Sequence, residues 1–357
     1  MGQQYFTTFS YSEFLELFDE HIRETVGSKL SEADFIALGG DGSTDKYQIS
    51  QEAGVVRMVD EKTHLPVEHF LGLKNLQDEG ADGVYSGLMG LLRGYGLSDA
   101  AIKSVVASLF LDGAAVNLGD KNSVKTRAKR DIAQAIVNHC ANHCLELVVS
   151  VGAKGHSMVE DAIATLKDIF IFYYYSAKRY RHLKNTAEIL ECDIVKFGGL
   201  KGVRWLASQS RAWTAVFIDY EAMVFQLEHS GSDKEAFPKT ADRERAANLL
   251  ARITNEKFVK TMHLMIDLTT AFGLESVKMQ HVKYTVLEVP ASVIKLRAQL
   301  NMIEAEESEF IRHFKHNFNK DTKELQLSSR QVKLSHGRYP KRIAMTDEEE
   351  RRGTGGG

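Results

Sequence analysis

The sequence predicts an α/β protein in which a sheet comes first and an all-helical region follows. Three observations carry this. Short apolar runs bounded by Gly, Asp and other turn residues fill positions 35–137. Apolar residues recur at helical spacing from Met158 onward. Only four prolines interrupt 357 residues, so long helices meet few breaks.

Taken in order, residues 11–26 set Phe14, Leu15, Leu17, Phe18 and Ile22 at helical spacing among acids, the pattern of an amphipathic helix. Residues 35–38 read as a short strand running into Asp41. Residues 54–59 and 67–73 are two further strands, joined by a polar turn at 60–64. Three consecutive strands with tight connections suggest an antiparallel meander. A glycine-containing helix follows at 83–95, then a fourth strand at 105–111 that ends at Asp112. Residues 122–131 read as a basic helix, 133–137 as a fifth strand, and a helix passes through 143–149. The order βββαβαβα puts Asp41 on the first strand and Asp112 on the fourth.

From Ser157 the period changes. Met158, Ile163, Leu166, Ile169 and Phe170 recur as on a helix, and 213–227, 243–253, 258–272 and 292–314 repeat the pattern. The expected organisation is an N-terminal helix (1–30), a partial α/β core (31–156), an all-helical domain (157–314) and a basic tail (315–357). That tail is polar and poorly periodic, so disorder is expected there.

Composition narrows the function classes. Hydrophobic residues make up 43% and charged residues 26%, as in ordinary globular proteins. No apolar run reaches the ~18–20 residues of a membrane span, and the first ten residues lack a signal-peptide pattern. Three cysteines do not make a disulfide framework, and a reducing intracellular compartment is the simpler reading. A net charge of −3 argues against a uniformly basic coat. Basic residues nevertheless cluster at 121–130, 194–218 and 312–342, and such local surfaces can hold phosphates.

The residues with most chemical content are Asp41, in Gly39-Gly40-Asp41-Gly42, and Asp112, in Leu111-Asp112-Gly113. Each comes right after an apolar strand. Two carboxylates delivered by neighbouring strands suit a hard cation such as Mg²⁺, and paired ions can clamp the two oxygens of a phosphodiester exchange. Asp-Gly is also a common turn, so on these residues alone the turn reading competes. Cys140, His143 and Cys144 share one helical face, but a structural zinc site needs four ligands, and buried free thiols are the simpler reading. Lys201, Arg204 and Trp205 lie in an acid-free, Gly-rich stretch; Trp205 reads equally as a base-stacking platform and as a half-buried core residue. Trp213, inside an apolar helix, reads as core. The run from Tyr173 to Arg181 alternates aromatics with cations, and packing of one face is favoured over nucleic-acid binding.

The order of these blocks resembles the hAT superfamily of DNA transposases and the host proteins derived from them, above all the domesticated zinc-finger-protein-like and SUMO-ligase-like group. The resemblance rests on Gly39 to Asp45, Phe70-Leu71-Gly72-Leu73, Asp112 to Gly119, Cys140-Ala141-Asn142-His143 with Leu145-Glu146-Leu147, Phe172 to Ser176, and Lys201-Gly202-Val203-Arg204-Trp205. It spans about residues 31–310.

The resemblance implies an RNase H-like core with a mixed five-stranded sheet, interrupted by a large all-helical insertion domain. It implies a DDE-type polynucleotidyl-transfer site in which Asp41 and Asp112 are the catalytic, metal-binding acids for two Mg²⁺ ions. Cys140 and His143 would support the site, and Lys201, Arg204 and Trp205 would bind nucleic acid. The third acid belongs beyond the insertion, and neither Glu324 nor residues 348–350 sit in a core pattern that supplies it. The family's N-terminal zinc finger and C-terminal dimerisation segment have no counterpart in the sequence. The expectation is a nuclear, transposase-derived protein with a truncated or degenerate core. It would bind DNA, possess no membrane segment and not act as an autonomous enzyme. An active Mg²⁺-dependent transposase or nuclease is one alternative, and a protein-interaction scaffold with protein partners is another.

Overall fold

The computed structural model describes residues 8–197, 205–235 and 237–343. Contacts divide the chain into two compact units, Met1–Cys144 with Gln280–Thr285, and Leu145–Met279 with Val286–Gly357.

The first unit opens with α1 (Thr8–Glu32), longer at both ends than its periodicity suggests. Three strands follow, β1 (Ile36–Thr44), β2 (Ser50–Val59) and β3 (Pro66–Asn75). They form the expected antiparallel meander. Next come α2 (Ala81–Gly94), α3 (Asp99–Val105) and β4 (Val106–Leu111), then α4 (Ala115–Leu118), α5 (Val124–Asp131), β5 (Ile136–His139) and α6 (Ala141–Ala153). The short α3 and α4 carry too few residues for a readable period. The sheet order is β3-β2-β1-β4-β5, with β4 parallel to β1 and β5 parallel to β4. The unit is thus mixed α/β with a five-stranded mixed sheet.

β1 differs from expectation in one consequential way. It does not stop at Leu38 but runs on through Gly39, Gly40, Asp41 and Gly42 to Thr44, paired with β2 throughout. The glycines are tolerated because neighbouring side chains occupy the room their Cβ atoms leave. The Phe110 ring lies where a Gly39 side chain would be. A Cβ on Gly40 would meet both Leu88 methyls at 3.1 Å. Asp45 then closes the hairpin, accepting the Tyr47 and Ile49 N–H groups at 2.7 and 3.0 Å.

Strand alternation sorts the sheet into two faces. Ile36, Leu38, Val56, Met58 and Leu109 are buried on one face, under Leu88, Leu91 and Leu92 of α2. The other face carries Ala37, Gly39, Asp41, Val55 and Phe110; at its margin Phe70 and Ile136 are exposed.

The second unit is helical, with α7 (Ser157–Tyr174), α8 (Ala177–Ile189), α9 (Trp205–Glu228), α10 (Thr240–Ile253), α11 (Glu256–Met279), α12 (Val289–Glu304) and α13 (Glu309–Asn317). Its core surrounds Tyr173, Trp213, Phe237 and Phe258, all fully buried. Tyr173 packs inward while Tyr174 and Tyr175 are exposed, the split expected for an amphipathic stretch.

Disorder was expected from residue 315, and the structure differs. β6 (Phe318–Asn319), β7 (Glu324–Gln326) and β8 (Gln331–Lys333) form a small antiparallel sheet. Phe318, Leu325, Val332 and Leu334 insert into the helical core. Five apolar residues spread over 17 positions, these four and the partly buried Leu327, fix the segment yet leave no period to read. Residues 344–357 fall outside the described part. No helix among the described residues is long and apolar enough to cross a membrane.

Candidate functional site

The parallel pairing of β1 with β4 decides where the acids meet. The last paired residues are Gly39 and Phe110. Asp41 and Asp112 each follow that pair by two positions, Asp41 within β1 and Asp112 just past the end of β4. Adjacent strands lie about 4.8 Å apart. Past this point β4 ends, and β1 keeps β2 on one side while its other edge faces the turn at residues 112–114. Asp41 is therefore within a strand and not in a break after it, opposite Ala53, and its side chain is exposed. Asp112 is half-buried and sits in the turn itself. The Ala114 N–H and Asn117 Nδ2 donate to its Oδ1 at 3.1 and 2.6 Å. These bonds hold the carboxylate ahead of α4 and leave Oδ2 for another partner.

A third acid joins them from an unexpected direction. Glu52 of β2 is 2% exposed and stands opposite Gly42. Its carboxylate lies across β1: a Cβ on Gly40 would be 2.5 Å from Oε1, and one on Gly42 3.1 Å from Oε2. Oε1 is buried and has no hydrogen-bond partner. Burial raises this carboxyl to about 7, and the charges of Asp41 and Asp112 push it the same way. Among the described residues no lysine or arginine is ion-paired to any of the three acids.

Glu52 was missed in the sequence because the second strand was started at Gly54. Extending the strand back to Ser50 puts Glu52 in phase with the inward residues Gly54, Val56 and Met58, and a charge in phase with a core face is the signal.

Two histidines flank the same turn. A Cβ on Gly113 would stand 2.6 Å from His139 Nε2 and 3.2 Å from His143 Cδ2. The two imidazoles are 5.3 Å apart. Burial and the neighbouring His143 lower the His139 pKa, against the pull of Asp112. His139 Nε2 is buried without a partner. The sequence reading ended the fifth strand at 137 and gave this residue no role at the site, although it opens the run His139–Cys144 that suggests zinc. Cys140 and Cys144 are half-buried free thiols, and burial raises Cys144.

Among the described residues no three His, Cys, Asp or Glu side chains are grouped closely enough to hold a metal ion as they stand. The donor chemistry at the β1 edge nonetheless fits a hard cation. It offers the carboxylate oxygens of Asp41 and Asp112, with His139 and His143 beside the same turn. Mg²⁺ keeps several waters and needs only one or two carboxylates in direct contact.

The nucleic-acid candidates fare differently. Lys201 and Arg204 lie outside the described residues, as does the side chain of Trp205, whose backbone begins α9. Trp213 is fully buried. Several charges of the basic runs are paired within their own unit. Arg127 grips Asp82 through two bonds of 2.5 and 2.6 Å, Arg130 pairs with Asp131, and Lys125 with Asp120. In the second unit Arg330 pairs with Glu228 and Arg342 with Asp168. Glu324 lies on β7 of the helical unit.

Residues 3–118 match the transposase-derived family DUF4371, described as ZMYM1/FAM200, RNase-like domain. The matched stretch takes in β1 to β4, and so Asp41, Glu52 and Asp112. This part of the chain is similar to a transposase-derived, RNase-like domain.

Proposed function

We propose that the chain is a transposase-derived protein of hAT ancestry. Its first unit is a degenerate RNase H-like core, and it binds DNA in the nucleus without transposing on its own. The observation that carries this reading is the parallel β1–β4 pair, with Asp41 in β1 and Asp112 just past the end of β4, each two residues beyond the last paired residues. The five-strand order and the match over residues 3–118 support it.

Asp41 and Asp112 would hold Mg²⁺, with Cys140, just ahead of α6, and His143, within it, supporting the turn. A bound Mg²⁺ would supply charge stabilisation to a phosphodiester at this edge. The protein's own part is to hold the Asp112 carboxylate with Asn117 and the Ala114 N–H. Lys201, Arg204 and Trp205 would contact the nucleic acid.

A second reading, a protein scaffold like the SUMO-ligase-like host proteins, is favoured by the internal pairing of Arg127, Arg330 and Arg342. Fluorescence anisotropy on single- and double-stranded DNA across a salt series separates the two. Binding that falls with salt and weakens in Trp205→Ala supports the DNA reading. Absence of binding at low salt contradicts it. A nicking assay with Asp112→Asn as control tests residual catalysis.

A further inference from the structure

We infer that the helical unit binds a small phosphomonoester with a single-ring body, in a cavity lined by α7, α8 and α10. The cavity lies wholly within that unit, so the inference does not depend on the acids of the sheet.

Charge identifies the anion. Arg179 of α8 and Arg245 and Arg252 of α10 line the cavity, with Asp168 of α7 as the one carboxylate among its lining residues. Three guanidinium groups against one carboxylate leave a formal excess of two positive charges. Asp168 is already engaged, by Arg252 on one oxygen and by Arg342 on both. Arg252 is 2% exposed, and its terminal nitrogens donate to Asp168 and to the Asp161 carbonyl. Its Nε is buried with no partner. Concentrating cationic charge inside a helical domain is costly unless an anion joins it. A phosphomonoester carries roughly −1.5 to −2 at pH 7 and presents three strong acceptor oxygens. Guanidinium forks match such oxygens in pairs.

Shape identifies the rest of the ligand. The cavity has a volume of about 130 Å³. An apolar cavity of about 150 Å³ is enough to hold benzene, so the space suits one ring. Phe172 and Leu249 are buried and supply apolar wall, together with Ile171 and Ile343. The Arg179 guanidinium lies over the Phe172 ring, 4.3 Å from its centroid, which brings cation and aromatic wall together. Asn248 Nδ2 donates to the Lys341 carbonyl at 3.0 Å and ties the 341–343 segment to α10. Arginines and apolar wall thus converge on one space, which suits a ligand that is anionic at one end and flat and apolar at the other.

The test uses the full chain and phenyl phosphate as the probe. Titration calorimetry measures affinity, and the thermal midpoint is read with and without the probe. The wild-type chain is expected to bind saturably and to gain thermal stability. Inorganic phosphate, the anion without the ring, and benzyl alcohol, the ring without the anion, are each expected to bind at least about tenfold more weakly. Arg245→Gln is expected to weaken phenyl phosphate about tenfold, the usual effect of losing a charge-assisted bond. Arg297→Gln, the same charge change on α12 outside the cavity, is expected to behave as wild type. Ile171→Trp keeps every charge but fills the space for the ring, and it is expected to abolish the preference for phenyl phosphate over inorganic phosphate. No saturable binding of phenyl phosphate by the wild-type chain overturns the inference. So does wild-type affinity in folded Arg245→Gln, or inorganic phosphate binding as tightly as phenyl phosphate.

Discussion

The Glu52 carboxylate occupies the space that a side chain on Gly40 would need: a Cβ there would come within 2.5 Å of Oε1. The glycine and the acid form one unit of structure. A bulkier residue at position 40 would have to displace either the carboxylate or Leu88 of α2. Gly40→Ala is expected to destabilise the first unit by about 1–3 kcal/mol, the usual cost of overpacking. Glu52→Ala in the same chain is expected to recover part of the loss. Urea unfolding of the four members of this cycle measures the coupling.

Gly39 makes the corresponding contact on the other face, where the Phe110 ring covers it. Gly39→Ala is expected to cost about 1–3 kcal/mol, and Phe110→Leu to relieve it. Non-additivity above about 0.5 kcal/mol in the double mutant is the signature of direct contact. Additive effects would show that β1 and β4 do not pack as described.

Stability is expected to depend on pH through buried groups of both units. Glu52 is raised to about 7, and Asp219 of α9 likewise by burial. Asp219 accepts the Val195 N–H at 2.8 Å, and its other oxygen has no partner. An acid whose folded pKa is raised binds its proton more tightly in the folded chain. Its contribution is complete below the unfolded value and is lost as pH rises through about 7. His263 is lowered to about 4 by burial, so its contribution is lost on the acid side, as pH falls from about 6.5 through 4. The carboxyls therefore lower the urea midpoint as pH rises from their unfolded values through about 7, with little further fall above it. Glu52→Gln is expected to flatten that decline and to stabilise the chain at pH 8.5 by about 1–2 kcal/mol, allowing for partial screening.

The fold was legible where a period or a turn signal was long enough. The βββ meander, the helix before the fourth strand and the helical second half all announced themselves through alternation or helical spacing. What was not legible depended on contacts distant in sequence. Asp41 looked like the start of a glycine-rich break because Gly39, Gly40 and Gly42 are poor strand residues on their own. They become acceptable only when Phe110, Leu88 and Glu52 fill the space around them. Asp112 was read correctly as the residue after a strand. Its tie to Asn117 crosses a four-residue helix that no periodicity could reveal. The small sheet at Phe318–Lys333 was taken for disordered tail because its apolar residues are sparse, although Phe318, Leu325 and Val332 are buried.

That sheet gives a direct test of the corrected boundary. Leu325 pairs with both Phe318 and Val332 and is 3% exposed. Leu325→Ala is expected to destabilise the helical unit by about 2–4 kcal/mol. A disordered tail would give a change below about 0.5 kcal/mol.

Asp168 of α7 anchors the same unit through two arginines. Arg252 is 2% exposed and bonds one carboxylate oxygen, while Arg342 spans both at 2.7–3.0 Å. Asp168→Ala strands the buried Arg252 guanidinium and is expected to cost about 3–5 kcal/mol. Arg342→Ala removes the more exposed partner and is expected to cost about 1 kcal/mol or less. Thermal denaturation of the two variants checks the ratio.

Crystals of the full chain grown with Mn²⁺, with data collected at the manganese edge, bear most directly on the cation site between the β1 and β4 acids. The expected result is an anomalous peak at the open edge of β1, within direct or one-water reach of Asp41 and Asp112. Well-ordered crystals with no peak there, or with the two carboxylates turned away from each other, would contradict it.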